Sequence, residues 1–124
     1  MNQPDAQDLL ATARDTLLKH LLPALPAPLH YEARMVASAM LIASRELAQA
    51  QACADIERQA MADLLALQDS NALTPEQSRA LLARQIRQGA YDQAGEARAR
   101  LLAALRAINR AQLSISNPKV LAHD

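Results

Sequence analysis

Residues 34–49, with the sequence RMVASAMLIASRELAQ, decide the fold. The stretch has no glycine or proline, and most of its residues are Ala, Leu, Met, Arg, Glu or Gln, which lose little side-chain freedom in a helix. At 100° per residue, one side carries a broad apolar arc made of Val36, Ala39, Met40, Ala43 and Leu47, widened by Met35 and Ile42. The pattern predicts a helix over residues 28–49 whose apolar arc is packed in the interior.

The rest of the chain has the same composition. Its 124 residues are 51% hydrophobic but include no Phe or Trp and only 2 Gly, which favours helices over strands. No stretch approaches the roughly 18 uninterrupted apolar residues of a membrane-spanning helix. The single Cys53 cannot form an internal disulfide, and the first 20 residues do not resemble an export signal. We therefore expect one all-α domain over residues 1–124, located in the cytoplasm.

Proline and glycine mark where the helices end. Pro23, Pro26 and Pro28 interrupt the first part of the chain, Thr74 begins a capping-box pattern, and Gly89 supplies a left-handed helix end. These signals predict an antiparallel bundle of about five helices, over residues 4–22, 28–49, 52–68, 75–88 and 93–113. Because no breaker separates the second helix from the third, one long helix over both is the alternative.

A candidate ligand site lies opposite the apolar arc of the second helix. Arg34 and Arg45 are about 16 Å apart along the axis at about 1.5 Å per residue. Their guanidinium groups suit carboxylate or phosphate, and the small Ser38 leaves room between them. Together with Tyr31, these residues predict a site for an acyl or phosphorylated ligand. The alternative is that the two arginines are solvated or paired with acidic residues of a neighbouring helix.

Few residues suggest a reaction centre. His30 lies next to Tyr31 and near Arg34, a combination that can perform general acid–base chemistry, although a histidine at such a position is more often surface or packed. The sequence shows no recognised spacing of metal ligands, no glycine-rich phosphate loop and no nucleophile elbow. Cys53 fits a small packing residue. We expect no catalytic residue, no metal and no cofactor, and hence a protein that is not an enzyme.

Charge argues against a protein that binds nucleic acid. Lys plus Arg and Asp plus Glu number 13 each: residues 1–70 have 5 basic and 9 acidic side chains, residues 71–123 have 8 basic and 3 acidic, and Asp124 completes the acidic total. The last helix carries Arg106 and Arg110 opposite Leu101 and Ile108, but it lacks the side chains that read base edges and the large apolar anchors of a membrane helix. We expect neither a nucleic-acid nor a membrane partner. The oppositely charged halves could attract each other within one chain or between two.

Several segments carry a resemblance to a known family. They are Pro4-Asp5-Ala6 with Asp8-Leu9-Leu10, Leu21-Leu22-Pro23-Ala24-Leu25-Pro26, Arg34-Met35-Val36-Ala37-Ser38-Ala39 leading to Arg45-Glu46-Leu47, and Ser116-Asn117-Pro118-Lys119 with Leu121. Through them nearly the whole chain resembles an uncharacterised bacterial family of small helical domains, whose pattern has Asn where this chain has Ser38. Such domains look like companions, encoded nearby or fused, of aminoglycoside-phosphotransferase-like kinases and acyl-CoA dehydrogenases. The resemblance implies a noncatalytic accessory protein that binds such an enzyme or itself.

Overall fold

The computed structural model describes residues 3–123 and is 80% helical. Within those residues there is no strand, which confirms the all-α class. Four α-helices follow one another: α1 is Ala6–Thr16, α2 is His30–Leu64, α3 is Pro75–Arg87 and α4 is Glu96–Ser116. The expected number of about five is wrong, because the helices predicted over 28–49 and 52–68 form the single helix α2. No helix of the described part combines the length and the apolar content needed to cross a bilayer.

Helix α2 is continuous because nothing in its middle favours a break. Residues 50–52, Ala-Gln-Ala, are all good helix formers, and the first left-handed residue is Ala66, with φ of 53°. The Leu65 N–H donates to Met61 O at 2.9 Å and the Leu67 N–H donates to Ala62 O at 2.9 Å, which closes the helix end. An alanine in the left-handed region leaves no signal in the sequence, so the end could not be predicted to the residue.

The first helix, predicted over residues 4–22, is only in part α-helical, since α1 is Ala6–Thr16. Asp5 caps α1, and its side chain and that of Asp8 form a reciprocal capping box. After α1, a wider π-helical turn spans Leu17–Leu21, and tighter 3₁₀ turns span Leu22–Ala24 and Ala27–Leu29. Each of the two 3₁₀ turns holds a proline in its first two positions, where the missing N–H costs nothing.

Helices α3 and α4 begin and end at local signals. Thr74 Oγ1 accepts from the Gln77 N–H at 3.1 Å and Gln77 Oε1 accepts from the Thr74 N–H at 2.9 Å, which confirms the predicted capping box. Gly89 has φ of 85°, the left-handed conformation expected after α3. Helix α4 starts three residues later than predicted, after Gly95, and ends at Ser116, before a 3₁₀ segment over Pro118–His123.

The chain divides into two compact units, Met1–Ala50 and Gln51–Asp124, here called the first and the second unit. The core of the second unit is formed by Met61, Leu82, Leu101 and Ile108, which are at most 9% exposed. The buried hydrophobic residues of the first unit, within the part that the structure describes, are Ala33 and Ala37. Helix α2 contributes residues to both units. A single domain over residues 1–124 stays a prediction.

The face on which α2 packs in the first unit differs from the expected one. Ala33 and Ala37 are buried, with 6% and 2% exposed, whereas Val36 and Leu47 of the expected interior face are 48% and 54% exposed. The prediction is therefore wrong for Val36 and Leu47, and also for Met35 and Ile42 of the widened arc, which are 54% and 37% exposed. Its physical reason is that the small side chain of Ala37 lets α1 reach the α2 backbone, where Arg14 Nε donates to Ala37 O at 3.1 Å. A helix apolar on most of its circumference does not specify by itself which face packs.

Candidate functional site

Polar side chains of α1 fix the packing of α1 against α2 in the first unit. Arg14, which is half-buried, donates from Nε to Ala37 O at 3.1 Å. Gln7 donates from Nε2 to Ser44 O at 3.3 Å. A cavity between the two helices is lined by Leu10, Ala11, Arg14, Asp15, Met40, Leu41 and Ser44. Two polar side chains directed at backbone oxygens of the partner helix hold this contact, so large apolar side chains of α2 are left outside it.

Those side chains form what we call the α2 apolar surface: Tyr31 (70% exposed), Met35 (54%), Val36 (48%), Ile42 (37%) and Leu47 (54%). At 100° per residue, Tyr31, Met35 and Ile42 lie within about 40° of one another. Val36 and Leu47 lie next to each other, about 120° further round the helix. Large apolar side chains this exposed within one helical segment are typical of a surface that another molecule covers.

The predicted ligand-site residues lie on or beside this surface. Tyr31 belongs to it, Arg34 and Ser38 are exposed along one edge, and Arg45 is half-buried on that same edge. The four span about 21 Å of one helix at about 1.5 Å per residue. The cavity beside α2 in this unit is lined by Arg14 and Asp15 rather than by these side chains. The acyl or phosphate site at Tyr31, Arg34, Ser38 and Arg45 thus stays a prediction.

His30 and Cys53 each contact a backbone oxygen. His30 Nε2 lies 2.9 Å from Leu25 O, which fixes the proline-rich connector to the start of α2. Cys53 Sγ donates to Ala111 O at 3.2 Å and is half-buried, as expected of a packing residue. Among residues 3–123, no three His, Cys, Asp or Glu side chains form a group that could hold a metal ion.

The second unit contains the best-defined charged contacts. Arg79 of α3 donates from Nε and Nη2 to the two carboxylate oxygens of Glu57 on α2, at 2.6 and 2.8 Å. The hydrogen bonds and the charge of Glu57, whose side chain is only 15% exposed, raise the pKa of Arg79. The pair is not predictable from the sequence, because two residues 22 positions apart on different helices leave no local pattern.

A second charged cluster lies on α2 alone. Arg58 Nη1 donates to Asp55 Oδ1 at 2.7 Å, and Gln51 Nε2 donates to the same oxygen at 3.0 Å. These hydrogen bonds, that from Arg58 first, lower the pKa of the exposed Asp55 carboxyl. The three residues sit at the (i, i+3) and (i, i+4) spacings that place helix side chains next to each other. Such spacings can be recognised in a sequence. The guanidinium of Arg58 lies at the surface, in the lining of the same cavity as Glu57 and Arg79.

Comparison with known proteins gives one match. The family model described as Domain of unknown function (DUF6285) matches residues 23–120, which include the proline-rich connector and α2, α3 and α4. No curated protein and no solved structure matches the chain. The family match confirms the part of the expected resemblance that concerns an uncharacterised domain. It carries no information about neighbouring or fused enzymes.

Proposed function

We propose that this chain, which belongs to the DUF6285 family of domains of unknown function, is a noncatalytic helical accessory protein that docks onto another protein through the α2 apolar surface. The observation that carries the proposal is the exposure of five large apolar side chains, between 37% and 70%, on one helix. Taking a fully exposed side chain of this size to full burial is worth about 1.5–3 kcal/mol, and each of these side chains would gain the share that corresponds to its exposed fraction. Covering several of them at once would supply a useful part of a binding free energy, reduced by the entropy lost on association.

The edge of this surface also suits a protein partner. Arg34 borders the group Tyr31, Met35 and Ile42 on one side. At 100° per residue, Glu32 and Glu46 border the same group on the other side, between it and Val36 with Leu47. Interfaces between proteins commonly combine an apolar centre with a polar, solvent-accessible rim. A ligand pocket, in contrast, is concave, whereas these side chains project from one helix.

The partner that we propose is a cytoplasmic bacterial enzyme similar to an aminoglycoside-phosphotransferase-like kinase or an acyl-CoA dehydrogenase. Support for this choice comes from the family resemblance of the sequence, in which such domains look like companions of these enzymes. Self-association through the same surface, which would give a homo-oligomer, is the other form of the proposal. An isologous pair would cover Met35 and Ile42 of both copies with one contact.

The test introduces charge into the Tyr31, Met35 and Ile42 group of the surface. We expect the double variant Met35→Asp, Ile42→Asp to lose binding to a purified kinase or dehydrogenase encoded beside the gene, by at least tenfold in Kd, because each carboxylate would have to be desolvated in the complex. Ile86→Asp is the matched control, since Ile86 of α3 is 42% exposed and Ile42 is 37% exposed.

Light scattering on the same three proteins tests self-association. An oligomer of the natural chain that becomes monomeric in the double variant alone would support the homo-oligomer. A monomeric natural chain that also binds neither enzyme, or equal losses in the double variant and in Ile86→Asp, would remove the proposal.

The ligand site at Tyr31, Arg34, Ser38 and Arg45 is the second candidate. It is favoured by the exposure of Arg34 and of Ser38, which lies one turn further along the same edge of α2. Thermal-shift measurements with coenzyme A thioesters, nucleotides and aminoglycosides test it, since a ligand that binds the folded chain raises its melting temperature. A rise that disappears in Arg34→Ala would support an acyl or phosphate site, and unchanged melting with every compound would contradict it.

A further inference from the structure

A cavity of about 140 Å³ lies in the second unit, beside the start of α3. Its apolar lining comes from Ala54, Met61, Leu73 and Pro75, and its polar lining from Glu57, Arg58, Ser78 and Arg79. An engineered cavity of about 150 Å³ in another protein accommodates benzene. The space beside α3 is thus large enough for one six-membered ring or a short aliphatic chain.

Ser78 presents a polar atom to this cavity. The residue is only 5% exposed, and its backbone N–H donates to Thr74 O at 2.9 Å, while its hydroxyl makes no hydrogen bond to any residue of the described part of the chain. No fully enclosed side-chain oxygen or nitrogen within residues 3–123 lacks a partner, so Ser78 Oγ is not fully enclosed, and Ser78 is one of the residues that line the cavity. A nearly buried hydroxyl without a hydrogen-bond partner in the protein favours a ligand that can accept its hydrogen bond.

The charges around the cavity favour an anion. Arg79 occupies both oxygens of Glu57, so these two residues neutralise each other. Arg58 is the remaining lining charge, and its ion-pair partner Asp55 does not line the cavity. Side chains of that pair are 33% and 54% exposed, and such exposed pairs contribute only about 0–1 kcal/mol. A carboxylate entering from the cavity side can therefore compete with Asp55 for the Arg58 guanidinium.

We propose that this cavity binds a small monoanion with an apolar body, such as an aromatic or short-chain carboxylate. Its apolar body lies against Met61 and Leu73, and its carboxylate accepts hydrogen bonds from Ser78 Oγ and the Arg58 guanidinium. The site is formed by residues of the second unit and is independent of the α2 apolar surface, so either proposal can fail without the other.

Benzoate is the probe, compared with benzyl alcohol and benzylamine, which carry the same ring with no charge or a positive charge. In ¹H–¹⁵N NMR titrations of the full chain, we expect saturable shifts from benzoate at the amides of Ala54, Arg58 and Ser78. Benzoate should bind at least fivefold more tightly than benzyl alcohol, and benzylamine should not saturate. Shifts that stay linear in benzoate concentration, that map to other residues, or that are matched by benzylamine would overturn the proposal.

Variants then separate the carboxylate contact from the apolar contact. Arg58→Gln should weaken benzoate about fivefold, the most that an exposed ion pair usually supplies, and leave benzyl alcohol unchanged. Arg87→Gln, at the exposed end of α3, is the matched control and should alter neither. Retained benzyl alcohol binding shows that the cavity of Arg58→Gln is still folded. Unchanged benzoate affinity in Arg58→Gln, or an equal loss in Arg87→Gln, would overturn the assignment.

Discussion

At the scale of single residues, the Glu57–Arg79 pair is a bidentate ionic contact between two helices of the second unit. Replacing Arg79 by Gln leaves the Glu57 carboxylate, 15% exposed, without its counter-charge. We expect a loss of about 1–2 kcal/mol in the free energy of unfolding, between the about 0–1 kcal/mol of exposed pairs and the about 3–5 kcal/mol of broken buried ones. Urea denaturation measures it.

The control for this prediction is Arg58→Gln, because Arg58 pairs with the more exposed Asp55. Its loss should be clearly smaller, and equal losses would contradict the argument from burial. Because the pKa of Arg79 is raised, the stabilisation from Arg79 is complete below its ordinary pKa and is lost only as pH rises past the raised value. The difference between Arg79→Gln and the natural chain should therefore not change across neutral pH.

Single residues also show what the sequence could not predict. The pattern of α2 drew attention to Arg34 and Arg45 and not to Arg14 and Arg79, which make polar contacts between helices. Spacing along one helix identifies side chains that share a face, but the partner across a helix pair depends on packing. Ser78 was missed for the same reason, since only the packed structure shows that this residue lines a cavity.

At the scale of elements, the start of α3 is controlled by its capping box. Thr74→Ala removes the oxygen that accepts from the Gln77 N–H, so we expect the free energy of unfolding to fall by about 1 kcal/mol. Thr74→Ser keeps the oxygen and should lose much less. Thermal or urea unfolding of both variants checks this, and equal stability of Thr74→Ala and Thr74→Ser would show that the cap contributes little.

The sequence predicts a helix boundary where neighbouring residues alone determine the end of the helix. The capping box at Thr74 and the left-handed Gly89 depend on neighbouring residues, and the structure has both. The break expected near residue 50 had no such signal, and the good helix formers there continue α2 without interruption. The packed face of α2 could not be predicted because Ala33 and Ala37, the buried residues, are less hydrophobic than the exposed Val36 and Leu47.

At the scale of the whole molecule, apolar side chains are unevenly buried between the two units. The second unit has a core of four large buried side chains. Eight of the twelve exposed large hydrophobic residues in the described part of the chain lie in the first unit: Leu9, Leu21, Leu29, Tyr31, Met35, Val36, Ile42 and Leu47. Because its buried hydrophobic residues are alanines, the first unit gains little free energy from its own packing. Its large apolar side chains stay exposed, where a partner protein can cover them.

This difference predicts how backbone amides exchange with solvent. In native-state hydrogen exchange of the natural chain, the amides of α1 should open with a lower free energy than those of α4, because α4 contributes Leu101 and Ile108 to the core. Saturating the chain with the enzyme partner should slow exchange in the first unit and leave α4 nearly unchanged. The Met35→Asp, Ile42→Asp variant should show the same α1 exchange with and without the partner. If α1 and α4 are equally protected in the monomer, the weakly packed first unit is ruled out, and with it the main physical reason for docking through α2.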